Sequence, residues 1–324
     1  MMTAAKLNTV NPVNKVLRAV GSRLSRLKNY DGDDRGVTAF FRRIGLQLLK
    51  TDPSDDTDLY VKLYGEEGVK HRRFYNIAAG VYKGFGGGID HPCWTNIDVD
   101  RSWKNDRNFP GGREYDASRD IAHDLLSVTR IPVESSSAEL VHSRFTVDRL
   151  TDEAAQYFFN EVHRMLKDGG VFRIVSTNLD VDFRAYLSKD HDFYFWLNES
   201  ISMEQCFLFH VVTQLSARYF DSSTTKVSDE EFRDIIHTMD YESAATHLVS
   251  KCSLEVHKRN RYDHFNWWNQ RKFERMLGLA GFDAIYVSAP QQSATPVLRN
   301  PHFFDNEHNR VMMYMEAVKG SPRR

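Results

Sequence analysis

The apolar positions of this chain change their period along its length, and the changes divide it into three stretches. In residues 1 to about 50, Val16, Leu17, Val20, Leu24 and Leu27 recur at helical spacing among Lys15, Arg18, Arg23, Arg26 and Lys28. A second such stretch holds Phe40, Phe41, Ile44, Leu46, Leu48 and Leu49, and Asp52-Pro53-Ser54-Asp55-Asp56 then breaks the pattern as a linker. From residue 72 short apolar runs alternate with helical ones. Runs at 74–77, 94–99 and 121–125 predict strands, and Glu139 to His142 starts a fourth. Thr151 suits an N-cap, with Asp152 and Glu153 in the first turn, and the helix that follows lines up Ala155, Phe158, Phe159, Val162, Met165 and Leu166. Gly169-Gly170 ends that helix, and 171–175 is a buried strand.

Residues 181 to about 262 interrupt the alternation with a helical, aromatic-rich insert, whose clearest helices are 203–220 and 229–239. A helix at 270–279 stopped by Gly281, a strand at 284–287 and a last strand at 311–318 restore the rhythm. Strands alternating with helices predict an α/β, doubly wound, mostly parallel sheet carrying a helical insert. Two regions result: an N-terminal extension, 1–50, and a main domain, 51–324, with the insert at 181–262.

Composition narrows the function classes. At 324 residues and 41% hydrophobic content the chain can bury a full core. Forty-three basic against forty-four acidic residues, net charge -1, disfavour a nucleic-acid binder. Cys93, Cys206 and Cys252 are odd in number and far apart, as expected of reduced thiols in a cytoplasmic protein. No run of eighteen apolar residues exists, and the start lacks the apolar core of a secretory signal. The basic amphipathic stretches in 1–50 are open to three readings: peripheral contact with an anionic membrane, packing on the main domain, or a homodimer element.

The chemistry concentrates in Tyr75-Asn76-Ile77-Ala78-Ala79-Gly80 and in Asp98, eighteen positions after Gly80. An apolar strand ending in small residues lets backbone approach a ligand, and an acid ending the next strand can hold a pair of ribose hydroxyls. That pairing predicts a nucleotide-shaped cofactor at the carboxyl edge of the sheet. A hydride-transferring enzyme would share it, but no G-x-G-x-x-G opens the first helix. Gly84-Phe85-Gly86-Gly87-Gly88 lacks the Lys-Ser/Thr of a phosphate loop.

Five pieces carry a resemblance: the stretch 75–80; His91-Pro92-Cys93-Trp94-Thr95-Asn96-Ile97-Asp98; His123-Asp124-Leu125 with Ile131-Pro132; Glu161 to Gly170; and His264-Phe265-Asn266-Trp267-Trp268 with Ala280-Gly281-Phe282. Over residues 60 to 320 the chain resembles a class I S-adenosylmethionine-dependent methyltransferase, and more narrowly a subgroup associated with surface-polysaccharide gene clusters. The resemblance implies a Rossmann-like seven-stranded sheet with an antiparallel last strand at its edge. It implies S-adenosyl-L-methionine as cofactor and O-methylation of a sugar hydroxyl of a glycan or its precursor. Ala78, Ala79 and Gly80 would pass under the methionine part. Asp98, beside Val99, would take the ribose, and Asp124 with Leu125 the adenine. Asn76 and Ser143 complete that set, with His142-Ser143 next to the sulfonium. Two positions depart from the pattern: Ala78 stands where glycine is usual, and Asp148-Arg149 where relatives often carry Glu-His.

A neutral sugar hydroxyl is a weak nucleophile, so a base should take its proton. His264 is the first candidate, Asp148 the second and His142 the third. Trp267, Trp268 and Arg149 are candidates for the acceptor site, one tryptophan ring buried and one facing the cleft. No metal is expected; Asp180 and Asp182 with Asp148 are the oxygen set that magnesium would use, against a reading as loop acids that cap the next helix. The alternatives are a natural-product methyltransferase with a smaller closed pocket and a catalytically silent scaffold of the same fold.

Overall fold

The chain divides into Met1–Thr51 and Asp52–Arg324. A computed structural model describes residues 56–78, 88–99, 112–113, 116–305 and 310–320, all in the second unit. The extension 1–50, the linker 52–55, Ala79, Gly80 and most of the glycine-rich loop therefore lie outside the described residues.

After helix α1 (Thr57–Lys70) come β1 (Phe74–Ile77), β2 (Gly88–Ile89), β3 (Trp94–Asp98), β4 (Gly112–Arg113), β5 (Ile121–Ala122) and β6 (Ala138–Arg144). Helix α2 (Asp152–Met165) leads into β7 (Leu166–Thr177), and β8 (Ala284–Ser288) and β9 (Met312–Val318) close the chain. Seven strands form one sheet in the order β5-β3-β1-β6-β7-β9-β8; β2 and β4 make a separate antiparallel ribbon. β1 runs parallel to β3 and β6, with Phe74 level with Trp94 and Leu140. β3 is parallel to β5 and β6 to β7, whereas β9 is antiparallel to β7 and β8. This is the doubly wound, Rossmann-like, mostly parallel sheet that the resemblance implies. The antiparallel strand is the last one, β9, set just inside the edge strand β8. The chain winds outward from β1 through β3 to β5 and then crosses back to β6, so the order reverses between β1 and β6. In open α/β sheets the crevice at such a reversal, outside the carboxyl ends of the strands, is where ligands bind.

Burial follows the sequence pattern. The α2 face Ala155, Phe158, Phe159, Val162 and Met165 is buried against Phe172 and Ile174 of β7 and against Trp268 and Phe273. Thr151 caps α2, its Oγ1 accepting the Ala154 N–H at 3.1 Å. The helix ends at Met165, four residues before the expected glycines. Those glycines turn the chain within β7: Gly169 has φ +76, and a side chain on Gly170 would stand 2.8 Å from the Lys167 carbonyl oxygen.

The insert folds around a core of its own. Helices α3 (Leu179–Ser188), α4 (Met203–Val211), α5 (Asp229–Thr238), α6 (Tyr241–Ser250) and α7 (Leu254–Arg259) bury Phe207, Leu208, Phe232, Ala245 and Leu248 together with Trp267. Each helix opens on a side-chain cap, Asn178, Ser202, Ser228, Asp240 and Ser253 in turn. Such a cap contributes about 1 kcal/mol. The expected helix 203–220 stops at Val211, where the β-branched run Val211-Val212-Thr213 leaves helical geometry and a short 3-10 turn follows. Helix α8 (Gln270–Leu279) returns the chain to the sheet. No helix among the described residues is long and apolar enough to cross a membrane.

Candidate functional site

A cavity of about 780 Å3 opens where β1, β3 and β5 end, walled on its other side by the insert. From the sheet come Ala78, Asp98 with Val99, and Asp124 with Leu125; Arg149 and His264 line it as well. These seven sequence-derived candidates share one space. Six others do not.

Ala78 sits in the left-handed region at φ +55, its N–H bonded to the Ile97 carbonyl at 2.8 Å. The turn leaving β1 thus demands the conformation that glycine adopts without cost, which is why glycine suits this position; alanine holds it at about 1–2 kcal/mol of strain. Asp98 ends β3 with Oδ1 accepting the N–H of Val99 at 2.6 Å. Asp124 caps the 3-10 turn that begins at Leu125, accepting from Leu126 N at 3.0 Å, and both its oxygens also receive Arg261, at 2.8 and 2.9 Å. That pair holds the Asp124 carboxyl below its ordinary range even against the opposing effect of burial.

The remaining candidates are turned into the interior. Asn76 donates to Asn96 Oδ1 at 2.9 Å and accepts from His142 Nδ1 at 3.0 Å, tying β1, β3 and β6 together inside the sheet. His142 is 4% exposed, and burial pushes its pKa well down. Its Nε2 is sealed without a partner, so it cannot meet an acceptor as a base. Ser143 is fully buried and donates to Thr146. Asp148, also fully buried, spends Oδ1 on Ser176 at 2.7 Å and on Thr177 at 2.6 Å. It braces β7 from behind the cavity, so it too is removed from the base candidates. Neither tryptophan faces the cleft: Trp267 bonds Thr246 inside the insert core, and Trp268 lies against Phe159 and Phe273 with ring centroids at 5.7 and 4.5 Å. Lys272 Nζ sits 4.3 and 4.6 Å from the two ring centroids, so this pair serves packing. Asp180 accepts from Tyr241 at 2.8 Å and Asp182 bonds His210, while Asp148 lies elsewhere. The three acids suggested for magnesium belong to separate networks. Among the described residues no group of three or more His, Cys, Asp and Glu could hold a metal.

Beside His264 the cavity holds His210 and Asp263, two groups that the sequence does not flag. His264 Nδ1 donates to the His210 carbonyl at 2.8 Å, which leaves Nε2 as the acceptor nitrogen. Burial pushes the His264 imidazole down to about 4, with Arg149 and His210 adding to the shift and Asp148 opposing it. His210 lines the cavity with Nδ1 fixed at 2.7 Å by the fully buried Asp182; its Nε2 makes no hydrogen bond among the described residues and is open to the space. Asp263 is 4% exposed, bonded by Tyr219 and by Asn260 at 2.8 Å, and burial raises its carboxyl to about 6. A carboxylate whose ionised form the fold resists, facing a cavity, is the kind of group that marks functional sites. Trp196, Phe209, Phe220 and Tyr262 add aromatic wall.

No protein-family model matches the chain, and no match to a curated protein is found. Among solved structures, an S-adenosylmethionine-dependent methyltransferase from Mesorhizobium loti is similar at 13% identity and TM-score 0.35, over 81% of this chain and 96% of that one. One from Methanosarcina mazei is similar at 12% identity and TM-score 0.36, over 76% and 92%. The CMeT domain of the citrinin polyketide synthase is similar at 8% identity and TM-score 0.34; the match covers 77% of this chain and 46% of that one, so the chain spans about half its length. Likeness at these TM-scores assigns neither activity nor substrate.

Proposed function

We propose that the protein is an S-adenosylmethionine-dependent O-methyltransferase acting on a sugar hydroxyl of a glycan or its precursor. One observation carries the reading: Asp98 and the strained Ala78 turn lie side by side at the carboxyl ends of β3 and β1, on a cavity of about 780 Å3 at the reversal of strand order. An acid at the end of the second strand suits a ribose diol, and the volume lies in the range that takes a drug-sized ligand. Trp196, Phe209 and Tyr262 suit the acceptor, whose apolar sugar faces stack on flat rings.

S-adenosylmethionine, held by Ala78 and Asp98, would supply an activated methyl group to an acceptor hydroxyl, whose proton must pass to the protein. His210 is placed to take it. Asp182 holds Nδ1–H, so Nε2 presents its lone pair to the cavity, and the carboxylate faces the positive charge that then appears. His264, pushed down to about 4, buttresses His210 through its carbonyl.

Calorimetric titration with S-adenosylhomocysteine tests the reading. Binding is expected, and Asp98→Ala should weaken it by about 1.5–3 kcal/mol, roughly ten- to hundredfold, for the lost charge-assisted hydrogen bonds. Absence of binding by the unmodified protein would leave a silent scaffold.

A further inference from the structure

We infer that Arg149 forms an anion-binding subsite of this cavity, taking a carboxylate or phosphate group of a bound ligand. The inference rests on the methyl-transfer reading for the identity of the ligands, but its physical basis is separate. Arg149 closes the 3-10 turn that follows β6 and lines the cavity. Its Nη1 donates to the Phe145 carbonyl and its Nε to the Tyr262 carbonyl at 3.3 Å. Both partners are neutral. Burial pulls the guanidinium below its usual range.

Three other cations of this wall differ. Arg261 is paired with Asp124 at 2.8 Å, Lys258 with Glu255 at 2.9 Å and Arg259 with Asp221 at 3.7 Å. No ion pair to Arg149 occurs among the described residues. The carboxylates that act on it from farther away are Asp148, Asp98 and Asp263. Asp148 has its Oδ1 engaged by Ser176 and Thr177 while its buried Oδ2 makes no hydrogen bond, Asp98 accepts from Val99, and Asp263 is bonded by Tyr219 and Asn260. Arg218, exposed with its guanidinium carbon 6.0 Å from the Phe209 ring centroid, is a second cation without an ion pair among the described residues.

Arg149 is partly buried, and its guanidinium offers a planar fork that fits two oxygens of one carboxylate or phosphate. Two ligands could bring that group: the amino-acid end of the cofactor, or an acidic acceptor such as a uronic acid or sugar phosphate.

The test titrates the full-length protein and Arg149→Gln with S-adenosylhomocysteine and with 5′-methylthioadenosine, which keeps the nucleoside thioether but lacks the carboxylate. Glucuronate and glucose 1-phosphate are compared with glucose. If the cofactor supplies the anion, R149Q weakens S-adenosylhomocysteine tenfold or more and leaves 5′-methylthioadenosine unchanged. If the acceptor supplies it, both nucleosides are unaffected and the preference for glucuronate or glucose 1-phosphate over glucose disappears. Equal affinities of R149Q and the unmodified protein for every probe, with Asp98→Ala still weakening both nucleosides, overturn the subsite and spare the methyl-transfer reading. If the unmodified protein binds neither nucleoside, that reading fails, and inorganic phosphate decides the subsite alone: saturable binding lost in R149Q supports it, and no such binding overturns it. Should R149Q fail to fold, Arg149→Lys keeps the charge but not the fork. The affected probe should then weaken at least threefold, and full retention overturns the subsite.

Discussion

Asp263 gives a measurable link between the cavity and the stability of the whole domain. Its carboxyl is raised from 3.8 to about 6, with burial the first cause. Because the folded value lies above the unfolded one, the stability tied to its protonated form is fully present below about pH 4. It is lost as pH rises through about 6. The gap of roughly two pH units amounts to about 3 kcal/mol at pH well above 6, as an upper figure. Asp263→Asn removes the titration while keeping the shape and one acceptor oxygen for Tyr219 or Asn260. Urea unfolding followed by tryptophan fluorescence, for both proteins at pH 4.5 and 7.5, isolates the effect. Relative to the unmodified protein, the variant should gain about 2 kcal/mol between the two pH values, whatever constant offset the lost hydrogen bonds impose. A difference that is flat with pH, or that moves the other way, refutes the reasoning: the carboxylate would then be hydrated or paired. The expected result would mean that the fold keeps at its cavity an ionised group that destabilises it at neutral pH, as functional sites commonly do.

Buried histidines act in the opposite direction. Burial pushes His257 and His264 down to about 4, so stability should fall as pH drops from about 6.5 toward 4, and His264→Gln should flatten that fall in the same assay. Arg173, fully buried between Asp305 at 2.6 Å and Glu316 at 2.7 Å, should cost about 3–5 kcal/mol on replacement by Met; unfolding midpoints check this, and an unchanged midpoint would deny the pair its buried character. Asp182→Asn should lower kcat about tenfold or more while S-adenosylhomocysteine affinity holds; an unchanged kcat would remove His210 from the proton's path.

Much of the frame was legible because it is written locally. Thr151, the Phe158-Phe159 face and the stop at Gly281 each act within a few residues, and the place of Asp98 at a strand end is equally local. The misread residues owe their fate to distant partners. A Trp-Trp pair reads equally well as wall or core, and only Phe273, Thr246 and Lys272 decide for core. Asp148 looks like a base until Ser176 and Thr177 are seen to enclose it. His210 carries no local signal because its partner Asp182 is twenty-eight positions away, and Asp263 none because Tyr219 lies forty-four away. The strained φ of Ala78 is the physical content of a departure that the sequence shows only as a missing glycine.

The bridge between Arg261 and Asp124 ties the exit of the insert to the far end of the sheet by two charged contacts. Residues 257–263 are therefore a strap across the mouth, fastened at Asp124 and again where the Tyr262 carbonyl meets Arg149. If a guest as large as an adenosyl group enters past this strap, the bridge must open to admit it. Its on-rate and off-rate should then rise together with ionic strength, while its equilibrium occupancy changes far less.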